Sequence, residues 1–152
     1  MSLIKSSINQ NNIEEVKTMA IQPSECSIFI QIWVDTNALQ YGSTNGVYLV
    51  DNNYNNGSSE EGTTSLVTHA TTNSKICWTI LNTNINSDVT LSIANFSGAS
   101  VFGSGGTPQP YQPNIWTGQV QANGEAQYSI TFNTEQGPDV TTTVCPTLSV
   151  HS

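Results

Sequence analysis

From Glu25 onward, apolar residues recur mostly at every second position, the spacing of strands that bury one face. The densest run is Ser27–Asp35. Ile28, Ile30, Ile32 and Val34 share one face, and Phe29 and Trp33 share the other. β-Branched and aromatic residues dominate the run, and Asp35-Thr36-Asn37 ends it. The pattern predicts a central strand, buried on one face and largely covered on the other.

The same reading places strands at Val47–Val50, Ser65–Ala70, Lys75–Leu81, Asp88–Ala94, Ile115–Gln121, Glu125–Asn133, Val140–Cys145 and Thr147–Val150. Within them Ile76, Trp78 and Ile80 share a face opposite Cys77 and Leu81, and Val89, Leu91 and Ile93 point inward, as do Tyr128, Ile130 and Phe132. Turn-rich clusters at Gly42–Gly46, Asn82–Ser87 and Gly137-Pro138-Asp139 separate the runs. Asn123-Gly124 between two extended runs predicts a hairpin, and Pro146 predicts an edge strand or a bulge. Ser97–Pro113 is the longest irregular segment, with room for a short strand at Ala99–Phe102. About eight to ten short strands so spaced predict an all-β fold, an antiparallel two-sheet β-sandwich.

Residues 1–22 break the alternation. Asn12–Ala20 puts Ile13, Val16 and Ala20 on one helical face, with Asn12 as N-cap and Glu14 and Glu15 in the first turn. A helix of two turns needs packing or a partner, and a disordered arm is the alternative. The expected layout is an arm or short helix at 1–22 and a sandwich at 23–152.

Composition changes the picture in three ways. Charged residues make up 9% of the 152, against a usual ~25%; Asn, Ser and Thr, roughly a third of the chain, supply the polarity. The formal charge is −8 and the three cations are all lysines, which argues against nucleic-acid and anionic-membrane partners. So sparse a charge also offers little repulsion against self-association, so a homo-oligomer or higher assembly is expected. No span of ~20 apolar residues is present, nor a secretory apolar core of ~7–15. The expectation is a soluble cytoplasmic protein with Cys26, Cys77 and Cys145 as free thiols; the sequence leaves open whether any two pair.

Candidate chemistry is sparse. The histidines are His69 and His151, and Cys77 with His69 is the one conceivable nucleophile–base pair. Glu60 and Glu61 are adjacent, so on an extended segment they face apart. No catalytic residue is assigned and no enzyme is expected. Asp51, Asn53 and Asn55 offer oxygens at alternate positions, a candidate Ca²⁺ loop. Asn56 stands where an EF-hand loop has glycine and Gly62 where it has its closing glutamate, so a plain Asn-rich loop competes with that reading. Apart from this calcium candidate no cofactor is expected. Tyr54, Tyr111 and Trp116 lie beside polar loops as a candidate sugar platform, against which stands core packing of Trp116.

Several segments resemble one family, the PixA/AidA inclusion-body proteins of bacteria. Val34-Asp35-Thr36 resembles the end of the family's first strand, Val47-Tyr48-Leu49-Val50 its Tyr-Met-Val segment, and Gly62-Thr63-Thr64-Ser65-Leu66 its Gly-Thr-x-Asp-Leu. Ile76-Cys77-Trp78 stands where the family has Ile-Arg-Trp, and Pro146–Val150 resembles its closing Asp-Pro-Thr-Ile-x-Val. The order is consistent from about Ile28 to Val150. The Asn-Pro-rich stretch after the first strand is missing, and Asn73-Ser74 replaces Gly-Asp before the tryptophan strand. The resemblance implies a cytoplasmic β-sandwich, in some cases stored as inclusions, and carries over no site residue. The expected function is a non-enzymatic, self-associating protein of this type. The alternative is a lectin-like carbohydrate-binding module, Ca²⁺-dependent or not.

Overall fold

The computed structural model describes residues 20–40, 42–134 and 140–152. The expected helix at Asn12–Ala20, apart from Ala20, and the turn at Gly137-Pro138-Asp139 lie outside them. In chain order the strands are β1 (Ile28–Val34), β2 (Val47–Asp51), β3 (Val67–Thr71), β4 (Lys75–Asn82), β5 (Leu91–Gly98), β6 (Gln109–Gln112), β7 (Ile115–Gln119), β8 (Gly124–Thr134), β9 (Thr141–Val144) and β10 (Thr147–His151). A front sheet runs β2-β1-β4-β7-β6, and a back sheet runs β3-β10-β8-β5 with β9 also on β8. The all-β sandwich is as expected.

The alternating residues do what their period demands. Ile30, Ile32, Val34, Ile76 and Trp78 are fully buried on the inner face of the front sheet, facing Tyr128, Ile130, Phe132 and Leu148 of the back sheet. The outer face of β1 is less covered than expected, with Phe29 39% exposed. At the centre, the Trp78 indole N–H donates to the Tyr128 hydroxyl at 3.0 Å, both groups buried. Burial pushes the Tyr128 phenol well above its ordinary range, with Trp78's hydrogen bond acting the other way.

The structure corrects the sequence in topology more than in strand content. The sheets are mixed: β1 pairs parallel to β4 and β3 parallel to β10. After the β1–β2 hairpin the chain crosses to the back sheet for β3, then returns to the free side of β1 as β4. The Asn123-Gly124 hairpin does not form, because β7 and β8 belong to different sheets. Instead Gln121 and Ala122 N–H donate to the Val101 carbonyl at 2.8 and 3.1 Å, and the Asn123 side chain bonds Thr72 and Ser152. Tertiary partners thus override a strong local turn preference.

Pro146 produces no bulge. β9 and β10 keep one register along β8, and the Pro146 carbonyl accepts from Tyr128 N–H at 3.0 Å. β10 is interior, between β3 and β8, whereas β9 pairs with β8 alone. A 3-10 turn at Ser100–Phe102 replaces the expected short strand. A register shift between Ile93 and Asn95 changes the parity of β5, which brings Phe96 toward the core after Leu91 and Ile93.

Candidate functional site

The Asn-rich loop is built around its own hydrogen bonds. Asp51 Oδ1 accepts Asn53 N–H at 2.9 Å, and Asn53 Oδ1 accepts from the Asn56 amide at 2.7 Å. The Asn53 amide donates to the His69 carbonyl, fixing the loop to β3. Tyr54–Asn56 forms one 3-10 turn, closed by Gly57 at φ 111° with the His69 ring 3.3 Å from where a Cβ would sit. The structure therefore brings Asp51 and Asn53 together as partners within a turn, and leaves Asn55 exposed. Among the described residues no group of three or more His, Cys, Asp or Glu is placed to hold a metal ion.

The loop's unexpected feature is a carboxyl pair. Residues 47, 49 and 51 share the inner parity of β2, so Asp51 follows Val47 and Leu49 toward the space between the sheets. Glu61 covers it: Glu61 Oε1 accepts Asp51 N–H at 2.8 Å, and the second oxygen of each carboxyl is buried without another partner. Desolvation, then the hydrogen bond shared with Asp51, pushes the Glu61 carboxyl up to about 7. The sequence reading considers Glu61 only beside Glu60, as two carboxylates that face apart; its partner is ten residues earlier, and the inward parity of Asp51 was the signal available.

This pair makes stability depend on pH. Folded Glu61 keeps its proton to about pH 7, whereas the unfolded side chain loses it near its ordinary 4.5. The unfolded state therefore binds fewer protons between those values, and stability should fall as pH rises across that window. Glu61→Gln can keep the bond to Asp51 N–H and donate to the Asp51 carboxylate. Its melting temperature should stay flat over the same range and exceed wild type above pH 7. A wild-type melting temperature constant from pH 4.5 to 7 would contradict the shared proton.

The aromatic candidates do not converge. Tyr54 is 70% exposed beside β2, at the opposite end of the front sheet from Tyr111 on β6. Trp116 pairs with Trp78 across β7 and β4, packs on Phe96 at 5.3 Å and buries its indole N–H. It belongs to the core, so it gives Tyr111 no second face for a sugar. An open groove of about 460 Å³ does lie beside the loop, lined by Asn53, Asn56, His69, Thr71 and Ser74 among others.

Cys77 and His69 are also separated. They sit on strands of different sheets, Cys77 on the outer face of the front sheet and His69 between the inward-facing Thr68 and Ala70 of the back sheet. His69 stacks on His151 at 4.7 Å instead, and Cys77 meets Cys26. No helix among the described residues is long and apolar enough to cross a membrane.

A family model described as a domain of unknown function (DUF8788) matches residues 26–140. A search of curated proteins finds no match. Among solved structures, the chain resembles the crystal structure of an inclusion body protein, PixA, from Burkholderia cenocepacia J2315, with a TM-score of 0.61 and 17% identity. The match covers 86% of this chain and 99% of that one. The likeness read from the short motifs therefore holds at the level of fold.

Proposed function

We propose that this chain, which belongs to the family described as domain of unknown function DUF8788, is a non-enzymatic protein that associates with its own copies, as a cytoplasmic inclusion-body protein would. The observation that carries this reading is the outer face of the front sheet. There Tyr48 is 47% exposed and Phe29 39% exposed, with Trp33 directly opposite Tyr48 on the neighbouring strand. Exposed aromatic side chains on a sheet face fit a second copy of the same face, since a two-fold contact sets like against like. With 9% charged residues, little repulsion opposes such contacts. The PixA-like fold supports the reading by analogy. The separation of Cys77 from His69 supports a non-catalytic role.

The test is the double variant Phe29→Lys/Tyr48→Lys. Both positions are exposed, so the fold should persist with a melting temperature near wild type. Mass by light scattering should drop from an oligomer to the 16.3 kDa of one chain. An unchanged mass would remove this face as the contact. A lectin-like module is the second reading, supported by the polar groove beside Asn53, Asn56 and His69. A glycan array silent with and without Ca²⁺ would dispose of it.

A further inference from the structure

The segment before β1 lies across the outer face of the front sheet. The Ile21 carbonyl accepts from the Thr117 hydroxyl of β7 at 2.5 Å, Glu25 pairs with Lys75 of β4 at 3.2 Å, and Ser27 N–H donates to the Lys75 carbonyl at 3.1 Å. Thr117 is itself the β-ladder partner of Cys77. The segment is thus held beside Cys77, and Cys26 follows the 3-10 turn Pro23–Glu25, its thiol donating to the Gln22 carbonyl at 3.7 Å and interacting with the Cys77 thiol on the strand below. Cys77 is 3% exposed beneath it, and Cys26 is half-buried.

We propose that Cys26 and Cys77 form a reversible dithiol–disulfide pair, a modification site that reacts with small-molecule disulfides such as glutathione disulfide. Of the pair, Cys26 is the thiol within reach of solvent. Its contact with Cys77 and its partial burial push it up, so the step runs through its minor thiolate. That thiolate attacks one sulfur of the glutathione disulfide, forming a mixed disulfide and releasing one glutathione thiolate. The Cys77 thiolate then attacks the Cys26 sulfur, closing the protein disulfide and releasing the second glutathione. Two protein thiols are oxidised and one glutathione disulfide is reduced to two thiols. In the mixed disulfide Cys26 has no hydrogen left to give, and the Thr79 hydroxyl, 3.9 Å from the Cys77 sulfur, still favours the Cys77 thiolate for the second step. The product ties the chain before β1 covalently to the centre of the front sheet. Cys145 is exposed and far in sequence from both, and serves as an internal control.

The experiment incubates the native full-length protein with glutathione disulfide and reads intact mass and a non-reducing peptide map. Wild type should lose two hydrogen atoms between Cys26 and Cys77, give a cross-linked peptide joining them, and return to the dithiol with dithiothreitol. Cys145→Ser should form the same cross-link. Cys77→Ser should lose it entirely and accumulate a glutathione adduct on Cys26. A wild-type map with adducts on Cys26 or Cys145 and no Cys26–Cys77 cross-link would overturn the proposal. That reading depends only on wild type, so it stands even if a variant folds poorly.

Discussion

Replacing Trp78 with alanine is expected to cost about 3–5 kcal/mol of folding stability, the usual range for emptying a large buried aromatic site. Trp78 is fully buried at the middle of the front sheet. Its ring meets Phe96 at 4.9 Å, Phe102 at 5.9 Å and Tyr128 at 6.1 Å, all tilted edge to face. These neighbours come from β5, the 3-10 turn and β8, so no single segment can move in to fill the gap. The loss also orphans the Tyr128 hydroxyl, which accepts from the Trp78 indole. Tyr128→Phe should cost less, about 1–3 kcal/mol, because it leaves only the indole N–H unpaired. The pair should couple: Trp78→Phe with Tyr128→Phe should destabilise by less than the two single changes together, since both partners of one buried bond then go. Urea unfolding measures all of these. A Trp78→Ala protein within about 1 kcal/mol of wild type would contradict the central packing described above.

Gly106→Ala is expected to destabilise by about 1–3 kcal/mol or more, through crowding rather than a cavity. The loop after the 3-10 turn lies directly on β7. Gly106 N–H donates to Phe102 carbonyl at 3.0 Å, and Gln119 N–H donates to Gly106 carbonyl at 2.9 Å. A Cβ at Gly106 would stand 1.9 Å from the Gln119 carbonyl oxygen and 2.5 Å from that of Phe102. Both are backbone atoms, so the methyl forces the loop off the sheet and breaks these bonds. Gly62→Ala is the contrast in space, since nothing lies within 4 Å of a Cβ there, although its φ of 87° brings backbone strain of its own. Gly106→Ala should lower the melting temperature and expose the loop to protease, and an unaltered melting curve would show that the close approach is absent.

The strands that sequence located best are those whose side chains alternate without interruption. β1, β4 and β8 show period 2 over seven residues or more, and each buries the face expected of it. β6 escaped notice because Pro108, Pro110 and Pro113 mark it as loop, yet an edge strand tolerates proline on its free side. The inward turn of Phe96 was hidden by the shift after Ile93, which no residue type announces. Non-local order was illegible for a different reason. That β4 lies parallel beside β1, and that Asn123-Gly124 joins two sheets, depend on contacts between distant segments. The same limit hid both ionisable pairs. Asp51 and Glu61 meet because a loop folds back on β2, and Cys26 reaches Cys77 because the chain crosses the front sheet before entering it.

Self-association is tested most directly by the mass of the wild-type protein in solution, measured by light scattering over a dilution series at fixed salt. The expected result is a mass that rises with concentration to a multiple of 16.3 kDa and falls toward one chain on dilution. A mass of one chain at every concentration would contradict the account, and would direct attention to the groove beside Asn53 and His69 as the working surface of a binding module.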